Sequence, residues 1–178
     1  MRWLLVLIFL LPGAALANDW AALEEPGAMA IMRHALAPGT GDPASFEIGN
    51  CSTQRNLDDR GRAQARAIGA AFRERGIAFD RVLTSQWCRC RETAELLDLG
   101  AVSDAPPLNS FFQDRSTSAS QTDQTRALIA EASEPMMLVT HQVNISALTG
   151  RFTRSGEVLV IRLDGDEIEI LGSILIEP

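Results

Sequence analysis

The sequence predicts an α/β fold with a mostly parallel central sheet and an antiparallel hairpin at one edge. Three observations predict it. Short apolar runs alternate with amphipathic segments of helical period along most of the 178 residues, as strand–helix–strand units require. Two of the runs stop abruptly at a histidine, which suits buried strands feeding loops. The last two segments instead alternate residue by residue around Asp164-Gly165-Asp166, a hairpin turn signal.

Taken in order, Met1-Arg2 precedes an unbroken apolar run from Trp3 to Leu11, broken by Pro12-Gly13 and followed by Ala15-Leu16-Ala17. That is the layout of a secretory signal peptide over residues 1–17, too short to span a bilayer, with a single domain over residues 18–178. Ala28 to Met32 reads as a buried strand. Ala35 to Asn56, rich in Gly, Pro, Asn, Ser and Thr, is a long loop of the kind that carries function. Asp58 or Asp59 caps a helix that runs to about Arg75 and stops at Gly76, with Ala63, Ala67, Ile68, Ala71 and Phe72 at helical spacing. Arg81 to Thr84 is a second strand and Trp87 to Leu97 a second helix. Asp104 to Gln121 is a loop, Thr122 to Ala132 a helix, and Met136 to Thr140 a third buried strand. Ile145 to Leu148 opens a further helix, and Val158–Leu163 with Glu167–Ile176 forms the hairpin.

Composition narrows the chemistry. Acidic residues outnumber basic ones 23 to 16, a formal charge of −7, which argues against a nucleic-acid partner. Every basic residue is arginine, so Schiff-base and P-loop lysine chemistry are excluded. Any anion falls to guanidinium groups. Export makes a disulfide possible for the three cysteines. Cys88 and Cys90 are too close to bridge comfortably, so Cys51 is expected to pair with one of them. No second cysteine pair and no nearby histidine supports a metal site.

The two histidines of the chain, His34 and His141, both directly follow apolar strands. In open α/β sheets ligands bind at the carboxyl ends of strands. Arg33 precedes His34. Arg89 lies about one turn into a helix beginning near Ser85, where free N–H groups and the helix dipole favour negative charge. Two arginines and two histidines around one point suggest phosphoryl chemistry.

These residues resemble the histidine phosphatase superfamily, also called phosphoglycerate mutase-like. Arg33-His34-Ala35 is similar to its Arg-His-Gly, with alanine in the glycine place. Leu57 to Ala65 is similar to its Leu-Thr-x-x-Gly-x-x-Gln-Ala. Ser85 to Ala94 is similar to its Ser-x-x-x-Arg-Ala-x-x-Thr-Ala, with Cys90 in place of alanine. His141 stands where the family has its second histidine. The ordered matches span roughly residues 28 to 150 and imply a three-layer α/β/α fold of the small branch, without an inserted cap domain.

The resemblance implies that His34 is the nucleophile and passes through a phosphohistidine. Arg33, Arg89 and His141 would hold the phosphoryl oxygens, with no metal or cofactor. The proton donor is less plain, because Gln142 stands where the phytase-like branch has an acid. Asp114, after Phe111-Phe112, is the expected donor, sheltered by that pair and raised in pKa. Arg55 and Asn144 are weaker polar candidates, left outside the catalytic set. The expected activity is that of a periplasmic or secreted phosphomonoesterase acting on a small phosphorylated substrate, an envelope phosphosugar being one suggestion from location. A phospho-ligand-binding module of the same fold, without turnover, is the competing reading.

Overall fold

The computed structural model describes residues 18–178; the expected leader at residues 1–17 lies outside the described residues. Six strands form one sheet: β1 (Met29–Arg33), β2 (Arg81–Thr84), β3 (Val102–Asp104), β4 (Met136–Thr140), β5 (Val158–Asp164) and β6 (Glu167–Ile174). Their spatial order is β3-β2-β4-β1-β5-β6. The first four are parallel to one another, while β5 runs antiparallel to both β1 and β6. The edge hairpin stands where the alternating pattern put it.

Four helices complete the layers: α1 (Asp59–Glu74), α2 (Cys88–Leu97), α3 (Ser118–Ala130) and α4 (Gln142–Thr149). Ile68 and Phe72 of α1 and Cys90, Ala94 and Leu97 of α2 pack with Ala30, Met32, Val82, Met137 and Val139 on one side of the sheet. Ile129 of α3 and Ile145 and Leu148 of α4 pack with Ile31, Leu83, Leu138 and Leu159 on the other. Alternate residues of each central strand thus face opposite cores, giving the three-layer α/β/α arrangement and explaining why those strands are apolar throughout. No helix of the described residues is long and apolar enough to cross a membrane.

Three local readings need correction. The buried face of α1 is Gly61, Gln64, Ala65, Ile68, Gly69 and Phe72, whereas Ala63 and Ala67 are exposed. Two glycines and a glutamine mark the buried stripe, so counting apolar residues shifted the face. The two glycines are there because backbone sits on them: a Cβ on Gly61 would strike the Leu36 carbonyl, and one on Gly69 the Leu97 carbonyl. Residues 102–104 form a short strand at the sheet edge beside β2, where the sequence predicts no element for Val102 and Ser103 and a loop from Asp104. Helices α3 and α4 start earlier than expected, at Ser118 and Gln142, because polar first turns carry no apolar period.

Candidate active site

Parallel pairing aligns Arg33 of β1 with Thr140 of β4, so the residues that follow, His34 and His141, leave the sheet side by side. The backbone N–H of His34 donates to the Thr140 carbonyl at 3.0 Å, and the imidazole centroids lie 5.6 Å apart. Strand β2 is the other neighbour of β4, and through Ser85 it leads into α2, which brings Arg89 over the same point. The structure therefore brings Arg33, His34, Arg89 and His141 together at the carboxyl edge of the sheet, lining one cleft of about 280 Å³.

Hydrogen bonds fix the tautomer of His34. Its Nδ1 lies 2.8 Å from the Ala35 carbonyl, which only accepts, so Nδ1 carries the proton. Nε2 keeps its lone pair and accepts from Nε of Arg89 at 3.2 Å. Burial and the neighbouring Arg89 hold the His34 pKa well below its ordinary range. His141 is depressed for the same two reasons. It accepts from Nη2 of Arg89 at 3.4 Å through Nδ1 and donates through Nε2 to the Ser85 hydroxyl at 2.8 Å. Both imidazoles are thus neutral at neutral pH.

Arg89 is buried, with all five N–H donors engaged. Its terminal fork holds Asp42, at 2.7 Å to Oδ1 and 3.1 Å to Oδ2. Nη1 also reaches the Arg55 carbonyl at 3.3 Å. The side edge of the guanidinium, Nε and Nη2, faces the two imidazoles. Asp42 accepts further bonds from the Arg55 backbone N–H at 3.0 Å and from Nε1 of Trp87 at 3.1 Å. Burial raises its proton affinity, but the Arg89, Arg55 and Trp87 donors outweigh that and hold the carboxyl below its usual range.

Two more arginines complete the electrostatics. Arg33 lines the cleft, donates to the Thr153 carbonyl at 3.2 Å, and has a buried Nε without a partner. Arg55 donates to the Gly41 carbonyl at 2.9 Å and to that of Ala37. Burial and the nearby Arg89 lower its pKa to about 10, so it remains charged. Three guanidiniums against one carboxylate leave the cleft doubly positive, matching the charge of a phosphomonoester dianion.

The long loop is held in place at two points. A disulfide joins Cys51 to Cys88 at the start of α2. Gln54 accepts from the Cys88 N–H at 2.9 Å. Cys90, one half-turn further, points into the core beside His141 as a buried free thiol, raised to about 12 by burial. The oxygens of Gln54 and Ser85 occupy the N–H groups of Cys88 and Trp87 at the start of α2.

Asp114 is not brought to the cleft. It is exposed, accepts from the Ser116 N–H at 2.9 Å, and has its pKa lowered by Ser116 rather than raised. The Phe111-Phe112 pair does not shelter it, because Phe111 turns into the interior while Phe112 stands at the cleft rim, 47% exposed. Asn144 is buried in α4 and donates to the Asn109 carbonyl at 2.9 Å, fixing the loop before α3. Gln142 ties α4 to Thr153 through its carbonyl oxygen. Sequence reasoning missed Asp42 and undervalued Arg55. The signal for Asp42 was an acid set between Gly41 and Pro43, which reads equally well as a turn. Among the described residues, no group of three or more His, Cys, Asp or Glu is disposed to hold a metal ion.

Comparison with known proteins agrees with this geometry. Residues 29–107 match the histidine phosphatase superfamily (branch 1). A 52-residue stretch is 39% identical to the mitochondrial serine/threonine-protein phosphatase Pgam5 of Drosophila virilis, covering 29% of this chain and 18% of that protein. In Drosophila mojavensis Pgam5 the match is 39% over 80 residues, 45% of this chain and 27% of that protein. The chain thus spans about a quarter or less of the curated relatives it matches. Among solved structures, the protein histidine phosphatase SixA complexed with tungstate superposes with a TM-score of 0.58 at 18% identity, over 83% of this chain and 96% of that one. Phosphoglycerate mutase from Thermus thermophilus superposes with a TM-score of 0.61 at 15% identity, over 84% and 99%. With the paired histidines and arginines standing where these motifs lie, the family match over residues 29–107 and the shared fold support membership of the histidine phosphatase superfamily.

Proposed function

We propose that this chain is an exported phosphomonoesterase that works through a phosphohistidine on His34, without a metal. The observation that carries the reading is the unprotonated Nε2 of His34 facing a doubly positive pocket. A lone pair held ready in a cluster of guanidiniums suits attack on phosphorus, and positioning with electrostatic stabilisation supplies most of the catalysis for such a transfer. In the first step the Nε2 lone pair forms a P–N bond as the P–O ester bond breaks. The oxygen leaves with its electron pair and becomes an alcohol on gaining a proton. Arg33, Arg55 and the Nε–Nη2 edge of Arg89, which passes its hydrogens from the imidazoles to the phosphoryl group, hold the non-bridging oxygens, and His141 lines the pocket beside them. Water then attacks phosphorus, the P–N bond breaks, the pair returns to Nε2, and inorganic phosphate leaves.

The names of the relatives support phosphatase chemistry: SixA is a protein histidine phosphatase and Pgam5 a serine/threonine-protein phosphatase. The Cys51–Cys88 disulfide supports a periplasmic or secreted location, since such bonds persist in oxidising compartments. Export would bring the cleft to small phosphate esters of the envelope. The test is hydrolysis of p-nitrophenyl phosphate by the chain without residues 1–17, in EDTA, beside His34→Ala. Turnover that survives EDTA and is lost in His34→Ala is expected. Activity retained by His34→Ala overturns the nucleophile, and loss in EDTA overturns the metal-free site. Phosphate binding with no turnover is the outcome for a binding module.

A further inference from the structure

Among the described residues one carboxylate lines the cleft, that of Asp42. Its side chain is 6% exposed. All of its acceptor capacity is spent within the protein: on both ends of the Arg89 fork, on the Arg55 N–H and on the Trp87 indole. A carboxylate that accepts four hydrogen bonds carries no proton to give. The other polar groups of the cleft do not replace it. His141 is neutral, and its one N–H is given to Ser85. Gln142, Thr40 and Ser110 are not acids at neutral pH. Asp114 stands away from the cleft in solvent.

The other end of the cleft is apolar. Phe152 is 73% exposed and Phe112 47% exposed, and both line it together with Val143. Two of the three large hydrophobic side chains exposed among the described residues therefore stand at the mouth of the phosphoryl pocket. The amide groups there are already used: Gln142 on Thr153 and Ser146, Gln113 on the Asp42 carbonyl.

We propose that the cleft is built for phosphoryl groups on weakly basic leaving atoms carried by a flat apolar body, an aryl phosphate by chemical class, and that Asp42 is a positioning residue for Arg89. The inference rests on the phosphohistidine reading above. By holding the terminal fork, Asp42 leaves the Nε–Nη2 edge of Arg89 turned toward the space between the imidazoles, where the phosphoryl group must sit. As the P–O bond breaks and the P–N bond forms, an aryloxide departs with its electron pair delocalised into the ring and takes its proton from water. No protein acid is needed. The ring rests against Phe112 and Phe152. A sugar hydroxyl, being far more basic, leaves poorly from such a site.

The experiment compares kcat/KM for p-nitrophenyl, phenyl and 2-phenylethyl phosphate, which share a ring and differ in leaving-group basicity. Without an acid, worth about 10²–10⁴-fold, kcat/KM is expected to fall across the series by at least about 10³. Asp42→Asn should lower all three by a common factor of about 10². It should also tighten inhibition by inorganic phosphate, because a negative charge is removed and the Arg89 fork is freed; a merely structural loss would weaken both together. A flat wild-type series, or a loss in Asp42→Asn confined to the 2-phenylethyl ester, makes Asp42 the acid and overturns the proposal. The wild-type series decides this even where the variant fails to fold. For the rim, phenylphosphonate is expected to bind about tenfold more tightly than methylphosphonate, with the ratio approaching one in Phe112→Ser/Phe152→Ser. Equal affinities in the wild type overturn the aryl class. A wild-type enzyme inert on p-nitrophenyl phosphate sinks the phosphohistidine reading together with this one, whereas activity with a flat series sinks this one alone.

Discussion

The loop that delivers His34 rests directly on helix α1, and Gly61 is the point of contact. Replacing a helical glycine by alanine ordinarily stabilises a helix by about 1 kcal/mol. Here the added methyl would overlap the Leu36 carbonyl oxygen and sit 2.9 Å from its carbon. Non-bonded carbons prefer about 3.5–4.0 Å, so the loop must retreat by roughly 1 Å. The Leu36 N–H is bonded to Gln64 at 3.0 Å and the Ala35 N–H to Thr93 at 3.1 Å, so the retreat strains both. Overpacking of this kind costs about 1–3 kcal/mol. The net expectation for Gly61→Ala, that cost less the propensity gain, is a loss of up to about 2 kcal/mol, lowering Tm by up to several degrees. A displacement near 1 Å at the nucleophile costs about 10²-fold in rate.

Gly69→Ala is the matched control. Its methyl would meet the Leu97 carbonyl, 2.6 Å from the carbon, in the α1–α2 contact and away from the cleft. It should lose comparable stability with a much smaller loss of kcat. Thermal melts by circular dichroism and initial rates on p-nitrophenyl phosphate measure both. A Gly61→Ala variant as stable and as active as the parent refutes the close-approach reasoning. Equal activity losses in the two variants refute the claim that Gly61 acts through His34.

Two further outcomes follow from the same structure. The Cys51–Cys88 bond closes a separation of 37 residues, so Cys51→Ser/Cys88→Ser should lose about 3–4 kcal/mol on the chain-entropy account. Urea titration measures the loss, and an unchanged midpoint contradicts it. The buried neutral histidines give the acid response. Their folded pKa values lie well below the unfolded value of about 6.5. The unfolded chain therefore binds protons first, and the stability held above pH 6.5 is lost as pH falls below it. The loss should approach about 1.4 kcal/mol per histidine per pH unit. Urea midpoints taken from pH 6.5 down to 5, above the carboxylate range, should fall steadily in the parent and less steeply in His141→Gln. Pronounced flatness in the parent contradicts neutral burial.

Much of the architecture was legible because strand and helix periods are written in apolar residues. The runs before His34 and His141 are buried on both faces of a parallel sheet, which leaves a continuous apolar signature. The convergence of the two histidines then follows from adjacent parallel strands. What stayed hidden is what depends on contact between distant segments. Asp42 reads as a turn residue until α2 places Arg89 and Trp87 against it. Asp114 reads as sheltered until the chain sends Phe111 inward and leaves Asp114 to cap a short turn in solvent. The buried face of α1 was misread because close backbone approach selects glycine, which carries no hydrophobic signal.

The central claim is that Nε2 of His34 carries the phosphoryl group during turnover. It is tested most directly by quenching the enzyme in alkaline denaturant during turnover of p-nitrophenyl phosphate, then reading intact mass and phosphorus NMR. One phosphoryl group on Nε2 of His34, absent from His34→Ala, is the result expected from the Nδ1–Ala35 and Nε2–Arg89 bonds. Turnover with an unmodified chain, or a phosphoryl group on Nδ1 or on another residue, would contradict it.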